Sequence, residues 1–389
     1  MPRGSDRIIY VAMILLLLYG LIMVGSASMG LSIGNNMALL INIGKQAAFM
    51  VVGYLAMAWI TNRFTLSFLK SDSFIYMIVL TGILLLLCLA FKASYGAKAW
   101  IHLPLGKTLD VTLQPSEFAK VVAILTVAAH TGNVTKNVKN GFEILSRPIA
   151  IVGVYCFIVV VLQHDFGSAS IIFLITCVCL LLPDHPKLKK FQQILAALFW
   201  VAVAFAVFIL SPWGESLITR MTFLDDYQIK RFTAAINPFA DQYDSGYHLI
   251  NSLICFASGD WLGKGFGQSI RKYTEFPNAN SDFIAAILVE ELGFAGFLVL
   301  MALYSMILIR LFMHAWRIKN EQARIILIGS AMYLLIHMFF NIGGVTGLIP
   351  LTGVPLLLIS AGGSSTLSFL ACLGLCQAVI SGEQRGEIK

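Results

Sequence analysis

One segment of the chain gathers the residue types needed for chemistry on an anionic substrate. It runs from Tyr247 to Gly293, and it places the basic pair Arg271-Lys272 shortly before Asp282. A carboxylate can take a proton from a hydroxyl group, and grouped cations are the usual partners of phosphate. The pattern therefore predicts a base beside a phosphate-binding surface. Further cations of the long loop that precedes Asp282 are Arg220, Lys230, Arg231 and Lys264.

Asp282 stands at the start of an apolar stretch, and this position allows two interpretations. Insertion into a membrane would desolvate the carboxylate and raise its pKa toward that of a working base. The same position suits an N-cap of the helix that follows. Glu290 and Glu291 would lie about 12 Å deeper along that helix, too far to share a proton with Asp282. We therefore expect both glutamates to be structural and to pair with an Arg or Lys from another span.

Further polar motifs accompany this segment, and each also has a structural interpretation. Glu117 and Lys120 are spaced to form an ion pair on one helix face. Such a pair can either stabilise helix packing in lipid or contact the substrate. Asp165 can cap a helix, since Asp is a frequent N-cap residue. A turn at 350–365 is rich in Gly and Ser.

The composition excludes a soluble fold. Of the 389 residues, 58% are hydrophobic and 12% are charged, and the mean hydropathy is +0.83. A chain this apolar is expected to cross a membrane several times. The net charge of +7 comes from cations in short loops rather than from a basic stripe, which argues against nucleic acid as a partner. The seven cysteines fall almost entirely in apolar segments, so neither a metal site nor a disulfide framework is predicted.

Apolar windows predict an all-α polytopic membrane protein with about ten transmembrane helices. The spans lie near 8–28, 43–61, 74–91, 117–130, 148–163, 167–182, 191–210, 283–312, 324–345 and 355–380. Lys and Arg are concentrated in the short loops on the side of both termini, so the positive-inside rule puts both termini in the cytoplasm. The other side's short loops hold only Lys45, Lys92, Lys98 and Lys107. The large loop between helices 7 and 8, at about 211–282, is then extracytoplasmic, and 1–389 forms a single transmembrane domain.

This topology brings the polar motifs to the outer face of the membrane. A transporter would be expected to hold its ionisable groups near mid-membrane and to open to both sides. The short cytoplasmic loops contain no ATP-binding motif, so the chain encodes no cytosolic energy source. The arrangement favours a site at the outer surface.

Eight motifs, in this order, resemble the signatures of the SEDS family of bacterial membrane proteins, named for shape, elongation, division and sporulation. The resemblance covers nearly the whole chain, and it is closer to the division-specific branch than to the elongation-specific branch. The motifs are Gly96-Ala97 with Trp100-Ile101, Gln114-Pro115-Ser116-Glu117-Phe118-Ala119-Lys120, Asp165-Phe166-Gly167, Gly246-Tyr247-His248-Leu249-Ile250, Ser281-Asp282-Phe283-Ile284, Glu290-Glu291-Leu292-Gly293, Asn341-Ile342-Gly343 and Gly362-Gly363-Ser364-Ser365.

The resemblance implies a ten-helix peptidoglycan glycosyltransferase of the bacterial cytoplasmic membrane. It would polymerise lipid II on the outer face, together with a class B penicillin-binding transpeptidase and other membrane proteins of the division machinery at the septum. Asp282 matches the family's proposed catalytic residue. A divalent cation (Mg or Mn) is expected to assist the diphosphate, its ligands are unknown, and no organic cofactor is expected. Candidate substrate-binding residues are Lys272, Arg271, Arg231, Lys98, Glu117, Lys120, Asp165 and Ser364.

Four motifs depart from the family's pattern. Ala99 stands where the family usually has Arg, His164 where it has Pro, and Asn280-Ser281 where it has His-Thr. The usual Tyr of the last motif is Ala361. Contacts made by those missing side chains therefore do not transfer to this chain, whereas Asp282, Glu117 and Lys120 are all present.

The implied chemistry is a single displacement. Lipid II carries an α-linked sugar diphosphate and the glycan product is β-1,4, so one inverting step suffices. We expect Asp282 to accept the proton of the acceptor's 4-hydroxyl, while Lys272, Arg271 and Arg231 stabilise the departing undecaprenyl diphosphate. Two other functions stay open: a lipid II flippase, which needs an aqueous path through the bundle, and a non-catalytic scaffold that recruits a transpeptidase.

Overall fold

The computed structural model describes residues 4–93, 96–105, 109–134, 140–211, 213–214, 226–274, 276 and 278–388. The helices within them are α1 (Arg7–Leu31), α2 (Asn36–Arg63), α3 (Asp72–Leu87), α4 (Pro115–Thr131), α5 (Gly141–Phe157), α6 (Phe166–Leu181), α7 (Lys189–Ile209), α8 (Asp226–Ile236), α9 (Tyr247–Ser258), α10 (Ile284–Arg317), α11 (Glu321–Val345) and α12 (Gly363–Gln384). Strands β1 (Ile101–Leu105) and β2 (Leu109–Leu113) form an antiparallel hairpin, which the apolar windows of the sequence did not predict. The predictions that involve Lys107 and Arg220 fall outside the described residues.

The all-α polytopic fold is confirmed. Among the described residues, eight helices are long and apolar enough to cross a membrane. They include α1, α2, α7, α10, α11 and α12, together with the helices that begin at Asp72 and Gly141. The predicted spans at 117–130 and 167–182 coincide with α4 and α6, which have 17 and 16 residues and are shorter than the roughly 20 that a perpendicular crossing needs. The count of ten spans therefore stays a prediction.

Both termini lie at the same end of the bundle. Asp6 caps α1 by accepting hydrogen bonds from the amides of Ile8 and Ile9, and its own amide donates to Gln377 on α12 at 2.8 Å. The Asp6 carboxylate also accepts from Arg310 and contacts His314, both near the end of α10. The charge distribution of the loops makes this the cytoplasmic end.

The centre of the bundle is formed by α12, α11 and α4, which are mostly buried and pack on one another and on α2 and α6. In contrast, α7 has no buried residue and packs mainly along α6. An apolar helix exposed on nearly all sides requires lipid around it. The space between α7 and the central helices is consequently a lipid-accessible groove.

The segment after α8, residues 237–274, folds back against α10 instead of standing free in water, and is here called the docked loop. Ser252 on α9 donates to the carbonyl of Val345 at 2.7 Å, and the turn that follows α9 packs beside Gly293. Gly293 has φ +68, which interrupts α10 and frees backbone groups. The turn bonds to groups on both sides of that break: the Lys264 amide donates to the carbonyl of Glu290, and the Phe294 amide donates to that of Asp260, each at 2.9 Å.

The depth of the docked loop in the membrane follows from the length of α10. From Arg310 to the break at Gly293, α10 rises about 26 Å, which is close to the thickness of the hydrocarbon layer. Glu290 therefore lies at the outer hydrocarbon boundary. Ile284, where α10 begins, is about 9 Å further out than Glu290, so Asp282, two residues before it, lies at the level of the lipid headgroups.

Candidate active site

A cavity of about 2090 Å³ opens at the outer end of the bundle. This is about twice the upper volume usual for small-molecule pockets. One wall is polar and includes Lys45, Gln46, Trp100, His102, Gln114, Glu117, His164, Asp165, Arg231, Asn280, Asp282 and Ser364. The other wall is apolar and includes Phe173, Leu174, Leu195, Leu198, Phe199, Phe205, Met332, Leu335 and Phe339, so it extends into the groove beside α7.

Asp282 lies in the polar wall and does not cap α10. Phe283 occupies the N-cap position, and no side chain accepts a hydrogen bond there. The capping interpretation of Asp282 is therefore wrong. Burial raises the pKa of Asp282 to about 6, although Arg231 and a hydrogen bond from Ser281 act in the opposite direction. The carboxylate is then ionised at neutral pH and close to the pKa of an effective general base.

Arg231 is the cation that acts on Asp282. Its guanidinium Nη1 donates to the carbonyl of Leu351 at 2.9 Å, which fixes it against the outer loop between α11 and α12. Gly353 in this loop has φ +69, a backbone conformation that favours glycine. A Cβ at Gly353 would lie 3.7 Å from Oδ2 of Asp282 and 3.9 Å from Nη2 of Arg231, so this glycine lies beside both side chains.

The backbone at Asp282 is held by three hydrogen bonds to successive carbonyls. The amide of Ala361 donates to the Asn280 carbonyl at 2.8 Å, and Ser360 Oγ donates to that of Ser281 at 2.7 Å. Asn341 Nδ2 donates to the Asp282 carbonyl itself at 2.8 Å. Neither a helix nor a strand orders residues 278–283, so these bonds set where the carboxylate stands.

Glu290 and Glu291 are fully buried and neutralised by lysines. Lys264 Nζ lies 2.6 Å from Glu290, and Lys272 Nζ lies 2.7 Å from Glu291. Ser26 on α1 joins the second pair, donating to Glu291 and accepting from Lys272. The glutamates are structural, as predicted, but the prediction of a partner from another span was wrong, since both lysines belong to the docked loop.

Glu117 and Lys120 form the predicted ion pair at 2.7 Å, and both are about 1% exposed. The hydroxyl of Tyr333 donates to the second oxygen of Glu117 at 2.8 Å, and His337 Nε2 lies 2.9 Å from Lys120 Nζ. Every charge here has a buried partner on α4 or α11. The cluster lies at the floor of the cavity, where Glu117 forms part of the lining, and contact with the substrate stays a prediction.

Asp165 and Ser364 connect the hairpin to two helix starts. Asp165 caps α6 through Ser168, as expected, and its other oxygen accepts from Gln114 Nε2 at 3.1 Å. Ser364, at the start of α12, accepts from the Gln114 amide at 2.9 Å. These contacts hold the end of β2 beside the cavity. Because β1 pairs with β2, they also position His102 of β1 and Trp100, which directly precedes β1, in the polar wall.

The family model described as "Cell cycle protein" (FtsW, RodA and SpoVE) matches residues 6–385. The chain belongs to this family. The chain is 31% identical to the "Probable peptidoglycan glycosyltransferase FtsW" of Coxiella burnetii, covering 95% of this chain and 94% of the relative. It is 29% identical to the protein of the same name from Bacillus subtilis, covering 96% and 90%.

Solved structures of family members share the fold. A chain from a structure described as "Structural coordination of polymerization and crosslinking by a peptidoglycan synthase complex" gives a TM-score of 0.69 at 22% identity, with 98% of both chains covered. The rod shape determining protein RodA of Thermus thermophilus gives a TM-score of 0.65 at 21% identity, again over 98% of both chains.

The structure brings five of the candidate residues to the cavity: Asp282, Arg231, Glu117, Asp165 and Ser364. The other four lie elsewhere. Lys98 is outside the lining, Lys120 and Lys272 are buried in ion pairs, and Arg271 donates to Asn251 at 3.1 Å. Lys45, a cation within the apolar helix α2, and His102 of β1 also line the cavity, and neither was among the predicted site residues.

The described residues do not fit a resident divalent cation. No group of three or more His, Cys, Asp or Glu side chains gathers among them in a geometry that could hold one. At the cavity, the carboxylate of Asp282 has the Arg231 guanidinium beside it, a cation that competes for the same oxygens. We therefore derive no step of the reaction through a metal ion.

Proposed function

We propose that this chain is a peptidoglycan glycosyltransferase that polymerises lipid II into β-1,4 glycan on the outer face of the cytoplasmic membrane. The observation that carries the proposal is one cavity that joins a base and a cation at headgroup height to an apolar groove. A lipid-linked sugar diphosphate has this polarity, with an anionic head and a long apolar tail. The names of the relatives from Coxiella burnetii and Bacillus subtilis support the same activity.

The reaction needs one proton acceptor. The acceptor's 4-hydroxyl gives its proton to Asp282 as its oxygen forms a bond to C1 of the donor sugar. The bond from C1 to the diphosphate oxygen breaks, and its electron pair leaves with undecaprenyl diphosphate. No second carboxylate is required, since a diphosphate leaves without being protonated. The carboxylic acid then releases its proton to water at the cavity mouth.

The diphosphate is assigned to Arg231 and Lys45 rather than to the loop pair Arg271-Lys272. Both assigned cations line the cavity, whereas the ammonium group of Lys272 is fully buried against Glu291. Fixed cations at the leaving group stabilise the charge that develops in the transition state. Arg231 suits this role because its hydrogen bond to Leu351 orients it before the substrate binds.

The polyprenyl tail is assigned to the apolar wall between α7 and α11. This groove is continuous with the polar wall, and its α7 side has no buried residue. A tail lying there would remain in contact with lipid, so its transfer from the bilayer costs little. The groove also lets the product lipid leave sideways into the outer leaflet.

A class B penicillin-binding transpeptidase is the proposed partner, and the division septum is the proposed location. The structurally similar complex is described as coordinating polymerisation with crosslinking, and the relatives from Coxiella burnetii and Bacillus subtilis carry the name FtsW. Other membrane proteins of the division machinery would assemble with the same pair.

A flippase would need a path for a polar head through the bundle. Beneath the cavity, Glu117, Lys120 and His337 are almost fully buried and paired with one another or with Tyr333. At the cytoplasmic end, Asp6 ties α1 to α10 and α12. This packing favours a site that opens outward only.

The test is polymerisation of purified lipid II, with the glycan read on a gel. Wild type, Asp282→Asn and Asp244→Asn would each be assayed with and without a cognate transpeptidase. Asp244 is the matched control, because it is an exposed aspartate of the same loop that pairs with Lys230. We expect polymer from wild type and from Asp244→Asn only. Polymer from folded Asp282→Asn would overturn the base assignment, and no polymer from any protein would favour a scaffold or flippase.

A further inference from the structure

We infer that Asn341 and Ser360 are positioning residues, which hold the backbone at Asp282 so that its carboxylate meets the acceptor hydroxyl. The inference rests on the proposed function, because it assigns these residues to the glycosyl-transfer step. Neither side chain lines the cavity, so neither is a catalytic residue. Their effect on the reaction would pass through the placement of Asp282.

The local structure makes such support necessary. Residues 278–283 form successive turns between the docked loop and α10, and Asn278 has a left-handed φ of +59. Turn residues outside a helix or strand can adopt other conformations at small cost unless outside contacts fix them. Here the three bonds to the carbonyls of residues 280, 281 and 282 provide those contacts.

Asn341 joins two segments with one amide group. Its Nδ2 donates to the carbonyl of Asp282 at 2.8 Å and to that of Val354 at 2.9 Å, and the residue is 2% exposed. Because an amide nitrogen has two hydrogens in fixed directions, both bonds can form together. Asn341 therefore fixes the distance from the base to the loop that carries Gly353.

Ser360 makes the second link from the same loop. Its Oγ donates to the Ser281 carbonyl at 2.7 Å and accepts from the Leu356 amide at 2.8 Å. The loop is rigid where it makes these contacts, because Leu356 to Ser360 are each no more than 2% exposed. The hydroxyl of Tyr304 on α10 also donates to the Leu357 carbonyl. A buried segment thus supports the half-buried turn that carries Asp282.

Other ionisable groups near Asp282 are accounted for on each neighbouring element. Arg231 on α8 acts on it directly. The other Asp, Glu, His and Lys side chains that line the cavity are Lys45 on α2, His102 on β1, Glu117 on α4, and His164 and Asp165 before α6; His248 on α9, Lys120 on α4 and His337 on α11 lie outside the lining. Asn341 and Ser360 carry no charge, so their removal changes the position and hydration of the carboxylate rather than the local charge.

The first experiment compares the rates of Ser360→Ala and Asn341→Leu with that of Ser252→Ala, per folded molecule. Ser252 is the matched control, a buried serine that also donates to a carbonyl at 2.7 Å but supports Val345 instead. We expect kcat for the first two variants to fall by about 10- to 100-fold with KM nearly unchanged, since misplacement by about 1 Å can cost 100-fold. Ser252→Ala should lose stability but keep kcat, and Ser360→Thr, which retains the hydroxyl, should recover most of the rate.

The second experiment measures the protonation of Asp282 without any turnover. Infrared difference spectra of each protein against its Asp282→Asn counterpart report the carboxylic-acid C=O stretch as pH is changed. We expect the midpoint to move toward lower pH in Ser360→Ala and Asn341→Leu, because a displaced carboxylate is better hydrated, and to stay unchanged in Ser252→Ala. Unchanged midpoints together with unchanged kcat would overturn the inference. A shifted midpoint in a chain that never polymerises lipid II would instead overturn the proposed function and leave the support of Asp282 intact.

Discussion

The carboxylates at the start of α10 share a short stretch of sequence but have opposite surroundings. Asp282 faces a cavity, has a pKa raised to about 6, and has Arg231 as the cation that acts on it. Glu290 and Glu291 are fully buried, and lysine ammonium groups contact them at 2.6 and 2.7 Å. One carboxylate is open to a substrate, and each of the other two is held by a lysine.

The difference shows how a membrane enzyme separates reactivity from stability. A buried charge with a close partner and further hydrogen bonds is structurally useful but chemically inert, because its protons and lone pairs are already engaged. A partly desolvated carboxylate with a cation nearby but not in contact retains affinity for a proton. The docked loop depends on the first kind of group, and the proposed reaction depends on the second.

The largest expected effect is on activity, and it distinguishes the two kinds of carboxylate. Asp282→Asn should lower the polymerisation rate by about 100- to 10,000-fold, the range for loss of a general base. Glu291→Gln should lower the folded fraction, while the rate per folded molecule stays within a few fold of wild type. Rates would be measured on the monodisperse fraction from size-exclusion chromatography. Equal losses of polymerisation rate per folded molecule in both variants would show that Asp282 and Glu291 do not differ in their role.

The next effect is on stability, and it concerns the buried pair. Lys272→Ala leaves Glu291 buried without its cation, which should cost about 3–5 kcal/mol and prevent or greatly weaken folding. Replacing both partners, as Lys272→Met with Glu291→Leu, should recover much of that loss because no charge remains buried. Thermal melts in detergent would measure both. A single variant as stable as wild type would show that the pair does not hold the loop.

A smaller effect should follow from removing the cation beside the base. Arg231→Gln should lower kcat by about 100- to 1,000-fold, as for loss of one group that stabilises transition-state charge. Because Arg231 lowers the pKa of Asp282, its loss should also move the acid limb of the pH–rate profile above pH 6. Lys230→Gln is the control, since Lys230 is exposed and pairs with Asp244. An acid limb that stays in place would show that Arg231 does not lower the pKa of Asp282.

The smallest effect is a gain in stability at the cost of activity. The folded-state pKa of Asp282, about 6, lies above the ordinary value of 3.8, so ionisation destabilises the fold as pH rises through 6. Asp282→Asn should therefore be more stable than wild type by about 1–3 kcal/mol at pH 7 to 8. The difference should vanish below about pH 4, where both side chains are neutral. Melts at three pH values would test this, and a variant less stable at pH 8 would contradict it.

The helices could be predicted from the sequence because burial in lipid requires continuous apolar runs. The docking of the loop could not. Hydropathy assigns Lys264 and Lys272 to water, whereas each lysine is held by a glutamate that lies many residues away in sequence. The hairpin was missed for a similar reason, since its short strands alternate too briefly to stand out beside the spans.

The site was predicted in part. Asp282 and Arg231 could be selected because a carboxylate is preceded by several cations in the sequence, and the structure brings both to one cavity. Asn341 belongs to one of the eight motifs and Ser360 to the turn rich in Gly and Ser, but their hydrogen bonds to the backbone carbonyls of Asp282 and Ser281 could not be read from the sequence. Lys272 was selected from the sequence because a cation beside Arg271 suggests phosphate binding. In the structure it pairs with the buried Glu291 instead.

The most direct test of the account is the pH dependence of lipid II polymerisation by the purified wild-type chain. If Asp282 must be ionised to act, the rate should fall about tenfold for each pH unit below roughly 6 and level off above 7. Folded Asp282→Asn should be slower by about 100- to 10,000-fold, and any residual rate should lack this acid limb. A flat profile between pH 5 and 8, or a residual rate in the variant that follows the wild-type profile, would contradict the claim that this carboxylate is the base.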